Sequence, residues 1–444
     1  MSFWDRLIYK KSGKVEQPNI RFGRYTDSYK TPVNYAAWDK ALMAFEEESF
    51  LDSFRFFLTY LRDEQEDNVH FWEKNGGIEF ELFQGSKRII GYADEKKVKV
   101  QAQIAETNDL NVGFMRRLIE KNFSLEYARF GLDDKNNIVV LFDSYSLDGS
   151  PYKLYYAIKE VAINADKQDD LLLEEFGMLK AIDVSHLEEI PQQEKEVKYT
   201  FIASRLKAVL QEVAQGKLSF EQYPGAYVYL MLDLVYKLDY LTRPEGYLME
   251  QLERAHREYF AKDDKKTLEK AQNLAKTLQT LLDRPKEAYF KEMYRGRSTF
   301  GITVPVNHDR IIASIDNEIV NIDWYAQNGH SSIALSLPGF IVGYCLFNYA
   351  APKPARDLFE LYYQIMEQDF FSQLGFQLDY FDAQQEKFHP RNIRKAIKQI
   401  CNDNKGFYPE LNPNIGALQF SSRLAFAKTY LLMIRNMDMT KINR

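Results

Sequence analysis

The sequence predicts an α+β domain followed by a mainly α-helical C-terminal region. Three observations predict it. Between Ile78 and Phe142, short stretches alternate apolar and polar residues with the period of two that belongs to strands. Apolar residues at helical spacing lie before, between and after these stretches. From Lys195 onward the alternation almost disappears, leaving weak strand signals only at 299–304 and 311–319.

Residues 1–32 form a basic N-terminal extension, in which Phe3, Trp4, Leu7 and Ile8 stand beside Arg6, Lys10, Lys11 and Lys14. This amphipathic composition suits weak contact with a membrane surface or with a protein. Trp38, Leu42, Phe45, Phe54, Phe57, Leu58 and Leu61 then mark one helix of several turns with a broad aromatic face, which the acidic run 63–68 ends as a solvated turn. In 78–83, Ile78, Phe80 and Leu82 share one strand face, and Gln84-Gly85-Ser86 turns the chain into a second strand at 88–92. A third strand, 97–104, puts Val98, Val100, Ala102 and Ile104 on one face and Lys97, Lys99, Gln101 and Gln103 on a wet one. Asn108 or Asp109 can cap the next helix, whose apolar positions are Val112, Met115, Leu118, Ile119 and Phe123. Strands at 127–132 and 138–142 flank the turn residues 133–137, and Ser150-Pro151 opens a helix with Leu154, Ala157, Ile158, Val161 and Ala165 on one face.

The acidic, Pro191-containing segment 183–198 is the expected linker between a domain at 33–182 and a helical domain at 199–444. A further division of the helical part is expected, if anywhere, near 285–300. Helices are expected at 199–213, 227–241, 246–260, 265–282, 355–371, 390–401 and 417–437. The most apolar run, 333–350, is interrupted by Ser336, Pro338, Gly339 and Asn348, and it reads as a buried helix pair rather than a membrane span. The opening residues show no charged, apolar and small-residue order of a secretory signal, so the expected location is the cytoplasm.

Several residue runs within 110–140 point to a family. They are Leu110-Asn111-Val112, Met115-Arg116-Arg117-Leu118-Ile119, Asn122-Phe123, Tyr127-Ala128-Arg129-Phe130-Gly131-Leu132-Asp133 and Ile138-Val139-Val140, with the Leu-rich acidic run 169–176 further on. Together with the order helix, three strands, helix, two strands, helix, they resemble the YbjN and class I type III secretion chaperone-like fold over about residues 35–177. The resemblance implies a protein-binding domain with no catalytic residues to carry over. The long helical region attached to it implies an adaptor or scaffold rather than a small chaperone.

Charge and composition narrow the classes. Residues 31–180 hold 18 Lys and Arg against 28 Asp and Glu, whereas residues 1–30 hold 7 against 3. Such an acidic domain repels nucleic acid, so the expected partner is a protein, and a homodimer falls within that expectation. Cys345 and Cys401 lack the spacing of zinc sites or disulfide frameworks and read as reduced core residues. The six histidines include no pair at i, i+3 or i, i+4, and neither 85–88 nor 295–298 carries the glycines of a phosphate-binding loop. No residue is assigned to catalysis, a cofactor or a metal. Partner binding is expected at Ile78, Phe80, Leu82, Val98, Val100, Tyr127 and Phe130 on the sheet, and at Arg295 and Arg297 toward an acidic surface. The alternative is a hydrolase or metal-dependent enzyme with its site around His308, Asp309, Asp323 and His330; a peripheral membrane scaffold held by the extension is a third reading.

Overall fold

The computed structural model describes residues 17–106, 112–175, 180–182 and 185–442. The amphipathic residues of 1–14, the caps at Asn108 or Asp109, Leu110-Asn111 and Phe176-Gly177 lie outside the described residues.

Two helices, α1 (Pro32–Glu46) and α2 (Phe50–Leu61), occupy the stretch expected to be one. Thr31 caps α1 in a reciprocal box with Asn34, and Pro32 takes the first helical position. The break falls at Glu48, the last of three successive glutamates, whose φ of 58° lies in the left-handed region. Asn34 Nδ2 also donates to the carbonyls of Tyr60 and Arg62, at 3.1 and 3.0 Å, which ties the start of α1 to the end of α2.

The sheet follows as β1 (Val69–Lys74), β2 (Gly77–Gln84), β3 (Lys87–Ala93) and β4 (Lys97–Glu106), then α3 (Val112–Asn122), β5 (Arg129–Leu132), β6 (Ile138–Tyr145) and the long α4 (Pro151–Glu175). All six strands are antiparallel in the order β1-β2-β3-β4-β6-β5, and a two-residue β7 (Lys180–Ala181) pairs with the end of β4. Strand β1 was not expected. Asn75 and Gly76 both have positive φ and make the two-residue hairpin turn that joins it to β2.

Register separates the two faces. Val69, Leu82, Ile89, Ala102, Val140 and Phe130 align across the sheet, as do Phe80, Gly91, Val100 and Phe142. These rows meet Phe54, Phe57 and Leu58 of α2 and Leu154, Ile158 and Val161 of α4 in one apolar core. Gly91 is required there, because a Cβ would overlap the Phe80 ring.

The C-terminal region is helical: α5 (Gln192–Gln215), α6 (Pro224–Thr242), α7 (Gly246–Phe260), α8 (Thr267–Asp283), α9 (Lys286–Lys291), α10 (His308–Gln327), α11 (Ser331–Asn348), α12 (Lys353–Met366), α13 (Gln368–Gln373), α14 (Pro390–Asn404) and α15 (Arg423–Arg435). Helix α6 is buried nearly all round and packs closely along α11. The apolar run expected as a helix pair is the single helix α11 with Pro338 inside it; it is long and apolar enough to span a membrane, and most of it is buried in this bundle. The strand signal at 311–319 is overturned, since Ile311, Ile315, Ile319 and Ile322 recur at helical spacing on the buried side of α10. Buried side chains from Phe201 to Met437, on both sides of 285–300, share one core.

The segment expected as a linker is integrated into the fold. Glu188–Glu189 (β8) pairs with Tyr294–Arg295 (β9), and Gln192 to Lys198 form the first turns of α5 with Glu194 and Lys198 buried. Residues 17–31 likewise lie on the helical region: Phe22 packs on Phe371 and Phe376, and Arg24 stacks on Phe347 and pairs with Asp239 and Glu253.

Residues 297–301 then strap the two regions together. Gly85 N–H donates to Arg297 O at 2.9 Å, and Gln84 Oε1 accepts the N–H groups of Thr299 and Phe300. Phe300, from the helical half of the chain, is buried in the core of the sheet domain.

Candidate functional site

The predicted binding residues of the sheet do not form a surface. Ile78, Phe80, Leu82, Val98, Val100 and Phe130 are all buried, because the face that carries them is the one α2 and α4 cover. Tyr127 is half-buried, and its N–H, with those of Glu126 and Ala128, donates to the Glu160 carboxylate of α4. Arg295 and Arg297 are paired within the chain, Arg295 with Glu194 at 3.2 Å and Arg297 with Asp67 at 3.1 Å while it lies over the Phe83 ring. Their charge is spent on β9 and the strap.

Nor do the residues of the enzymatic reading converge. His308 opens α10 and His330 follows its end, which places them roughly 30 Å apart at 1.5 Å per residue. Burial lowers the pKa of His308. Asp323 pairs with Lys428 at 2.6 Å and Asp316 with Arg435, and both pairs cross-link α10 to α15. Among the described residues, no group of three His, Cys, Asp or Glu is placed to hold a metal ion.

The opposite face of the sheet is uncovered over its middle, and the alternation that fills the core also composes it. One register row runs Trp72, Glu79, Tyr92, Lys99, Asp143; the next runs His70, Glu81, Ile90, Gln101, Leu141, Arg129. Trp72 is 45 % exposed and Ile90 41 %, and Tyr145, opposite Lys97 at the end of β6, is exposed as well. An apolar ridge on β3 therefore runs between an acidic strand, β2 with Glu79 and Glu81, and a basic one, β4 with Lys97 and Lys99.

Ion pairs hold the acidic side in place. Trp72 Nε1 donates to Glu79 at 3.1 Å, Lys74 pairs with Glu79 at 3.0 Å, and Arg88 pairs with Glu81 at 3.3 Å. His70 lies between Asp67 and Glu81, and its hydrogen bond to Asp67 raises its pKa above the ordinary value. The Lys99 side chain makes no hydrogen bond or ion pair among the described residues and faces solvent.

Both edges of the sheet are blunted by side chains. Arg62 Nε donates to Val69 O on the outer side of β1, and its guanidinium lies over Phe71. Asn122 accepts from Phe130 N–H and donates to Phe130 O on the outer side of β5. Strand addition is thus opposed at both edges, and the face is left as the accessible surface.

A second apolar patch lies on α3. Val112, Ile119 and Phe123 fall on one side of this helix, and Val112 is 84 % and Phe123 91 % exposed, while Leu118 turns inward. The sequence showed these residues at helical spacing but did not separate the inward stripe from the outward one.

No protein-family model matches the chain, and no curated protein sequence matches it.

Proposed function

We propose that the chain is a non-enzymatic protein-interaction module, adaptor-like, that docks a protein partner on the uncovered face of its sheet. The observation that carries this reading is the ridge on β3 of exposed Ile90 and half-buried Tyr92, set between an acidic strand and a basic strand. An apolar centre flanked by charges of both signs supplies affinity from burial and orientation from charge. The resemblance to the YbjN and class I type III secretion chaperone-like fold supports it too, since that family binds proteins.

A partner for this face carries its own apolar ridge with charges in the reverse order, and a second copy of the chain fits that description. A two-fold axis running along β3 between two facing sheets sets Glu79 of each copy opposite Lys99 of the other, because the two residues lie in one register row on either side of Tyr92.

The test is the double variant Ile90→Glu, Lys99→Glu in the intact protein, followed by affinity purification from its own cells and by light scattering of the pure protein. The reading predicts an unchanged melting temperature with loss of the co-purifying partner or of the dimer. Retention of the same partners and the same mass would overturn it.

A further inference from the structure

The sequence holds two Asn-Gly pairs, Asn75-Gly76 and Asn328-Gly329. A glycine after asparagine leaves the next backbone nitrogen open to the asparagine side chain, because no Cβ shields it. Both pairs are exposed, and a Cβ on either glycine would meet nothing within 4 Å, so access does not separate them. Hydrogen bonding does.

Asn328 caps the C-terminus of α10. Its Nδ2 donates to the Trp324 carbonyl at 2.8 Å, Gly329 N–H donates to Ala326 O at 3.2 Å, and His330 N–H donates to Tyr325 O at 2.9 Å. The side chain and the nitrogen that follows it are both held by the helix end. Asn75-Gly76, in contrast, is the two-residue turn between β1 and β2, closed by the pairing of Lys74 with Gly77. Neither the Asn75 side chain nor the Gly76 N–H makes a hydrogen bond among the described residues. With φ of 53° and 76°, the pair has the two positive values of a type I′ turn. Turning over the peptide plane between them gives a type II′ turn, which serves the same hairpin, and moves ψ of Asn75 to about −120° while the strands stay in place. Gly76 accepts the matching change in the sign of φ because it has no Cβ. The Gly76 nitrogen then faces Cγ of Asn75.

We infer that Asn75 is a site of spontaneous deamidation, and that Asn328 is protected from the same reaction by its helix cap. A solvent base takes the Gly76 N–H proton, the nitrogen bonds to Cγ of Asn75, and the side-chain amide takes up a proton and leaves as ammonia, closing a succinimide ring. Water then opens the ring at either carbonyl, leaving aspartate or isoaspartate. Either product places a new carboxylate beside Lys74. Isoaspartate also lengthens the main chain of a two-residue turn, which breaks the Lys74–Gly77 pairing at the ends of β1 and β2. The modification does not depend on docking at the uncovered face, so either proposal can fail alone.

The full chain is held folded at mildly alkaline pH in heavy-oxygen water, digested in ordinary water and mapped by mass spectrometry, with a second sample held in urea. In the folded chain Asn75 is expected to convert faster than Asn328 by about tenfold or more, since only Asn328 must first give up hydrogen bonds. In urea the two are expected to convert at similar rates. Asn75→Gly, which suits the same turn, is expected to remove the label from the turn peptide and leave the rate at Asn328 unchanged. Equal rates in the folded chain, faster conversion at Asn328, or no conversion at Asn75 would each overturn the inference. A preference for Asn75 that persists in urea would overturn protection by the helix cap.

Discussion

His256 is packed among Phe260, Phe347 and Tyr344, accepts or donates a hydrogen bond with the Tyr236 hydroxyl at 2.8 Å, and has its pKa pushed down to about 4 by burial and then by the charge of Arg24. The unfolded chain takes up this proton near pH 6.5 and the folded chain does not, so stability is lost as pH falls from about 6.5 toward 4. Urea denaturation is expected to show a loss of about 2–3 kcal/mol, and His256→Gln is expected to flatten that slope. His70 has the opposite sign. Its raised pKa gives stability that is fully present below about pH 6.5 and is lost as pH rises through the raised value. NMR titration is expected to place the His70 pKa above that of an exposed histidine, with Asp67→Asn bringing it down. Arg24 joins residues 17–31 to α6 and α7, and Arg24→Ala strands Asp239 in a buried setting and leaves Glu253 with Lys167 alone; the expected loss is about 3–5 kcal/mol.

Elements meet through contacts that single side chains decide. A Cβ at position 339 would overlap the Asp233 carboxylate between α11 and α6, whereas one at Gly225 meets nothing within 4 Å. Gly339→Ala is therefore expected to cost about 1–3 kcal/mol in chemical denaturation, with Gly225→Ala close to neutral. Phe300→Ala, in the strap, empties a position in the sheet-domain core and is expected to cost about 3–5 kcal/mol. Strands β2 to β6 and most helices were legible because alternation and helical spacing are local and each strand has one buried face. Strand β1 was not, since only Val69 and Phe71 point inward amid charged and polar neighbours. The break at Glu48 was hidden because a glutamate in the left-handed region has no sequence signature. The apolar row Ile78, Phe80, Leu82 was readable as a row, but alternation does not say which row the helices cover. The uncovered face was in the sequence as its complement, Glu79, Ile90, Tyr92 and Lys99, and the strap pairing of Gln84 with Thr299 and Phe300 had no local signal at all.

For the whole molecule, the strap, the paired β8 and β9, and the Arg24 cluster make the sheet domain and the helical region depend on each other. A fragment of residues 33–182 lacks Phe300 and the partners of Gln84, and it is expected to expose apolar surface, which dye binding and light scattering will register. Point variants, rather than domain deletions, are therefore the right instrument for the proposed binding on the uncovered face. The most direct measurement places a photoreactive phenylalanine analogue at position 90 of the full chain in its own cells, with position 320 on the exposed side of α10 as the reference. The account predicts protein adducts at position 90, to a partner or to a second copy, that Lys99→Glu removes. Adducts at position 90 no different from those at 320, or unchanged by Lys99→Glu, would contradict it.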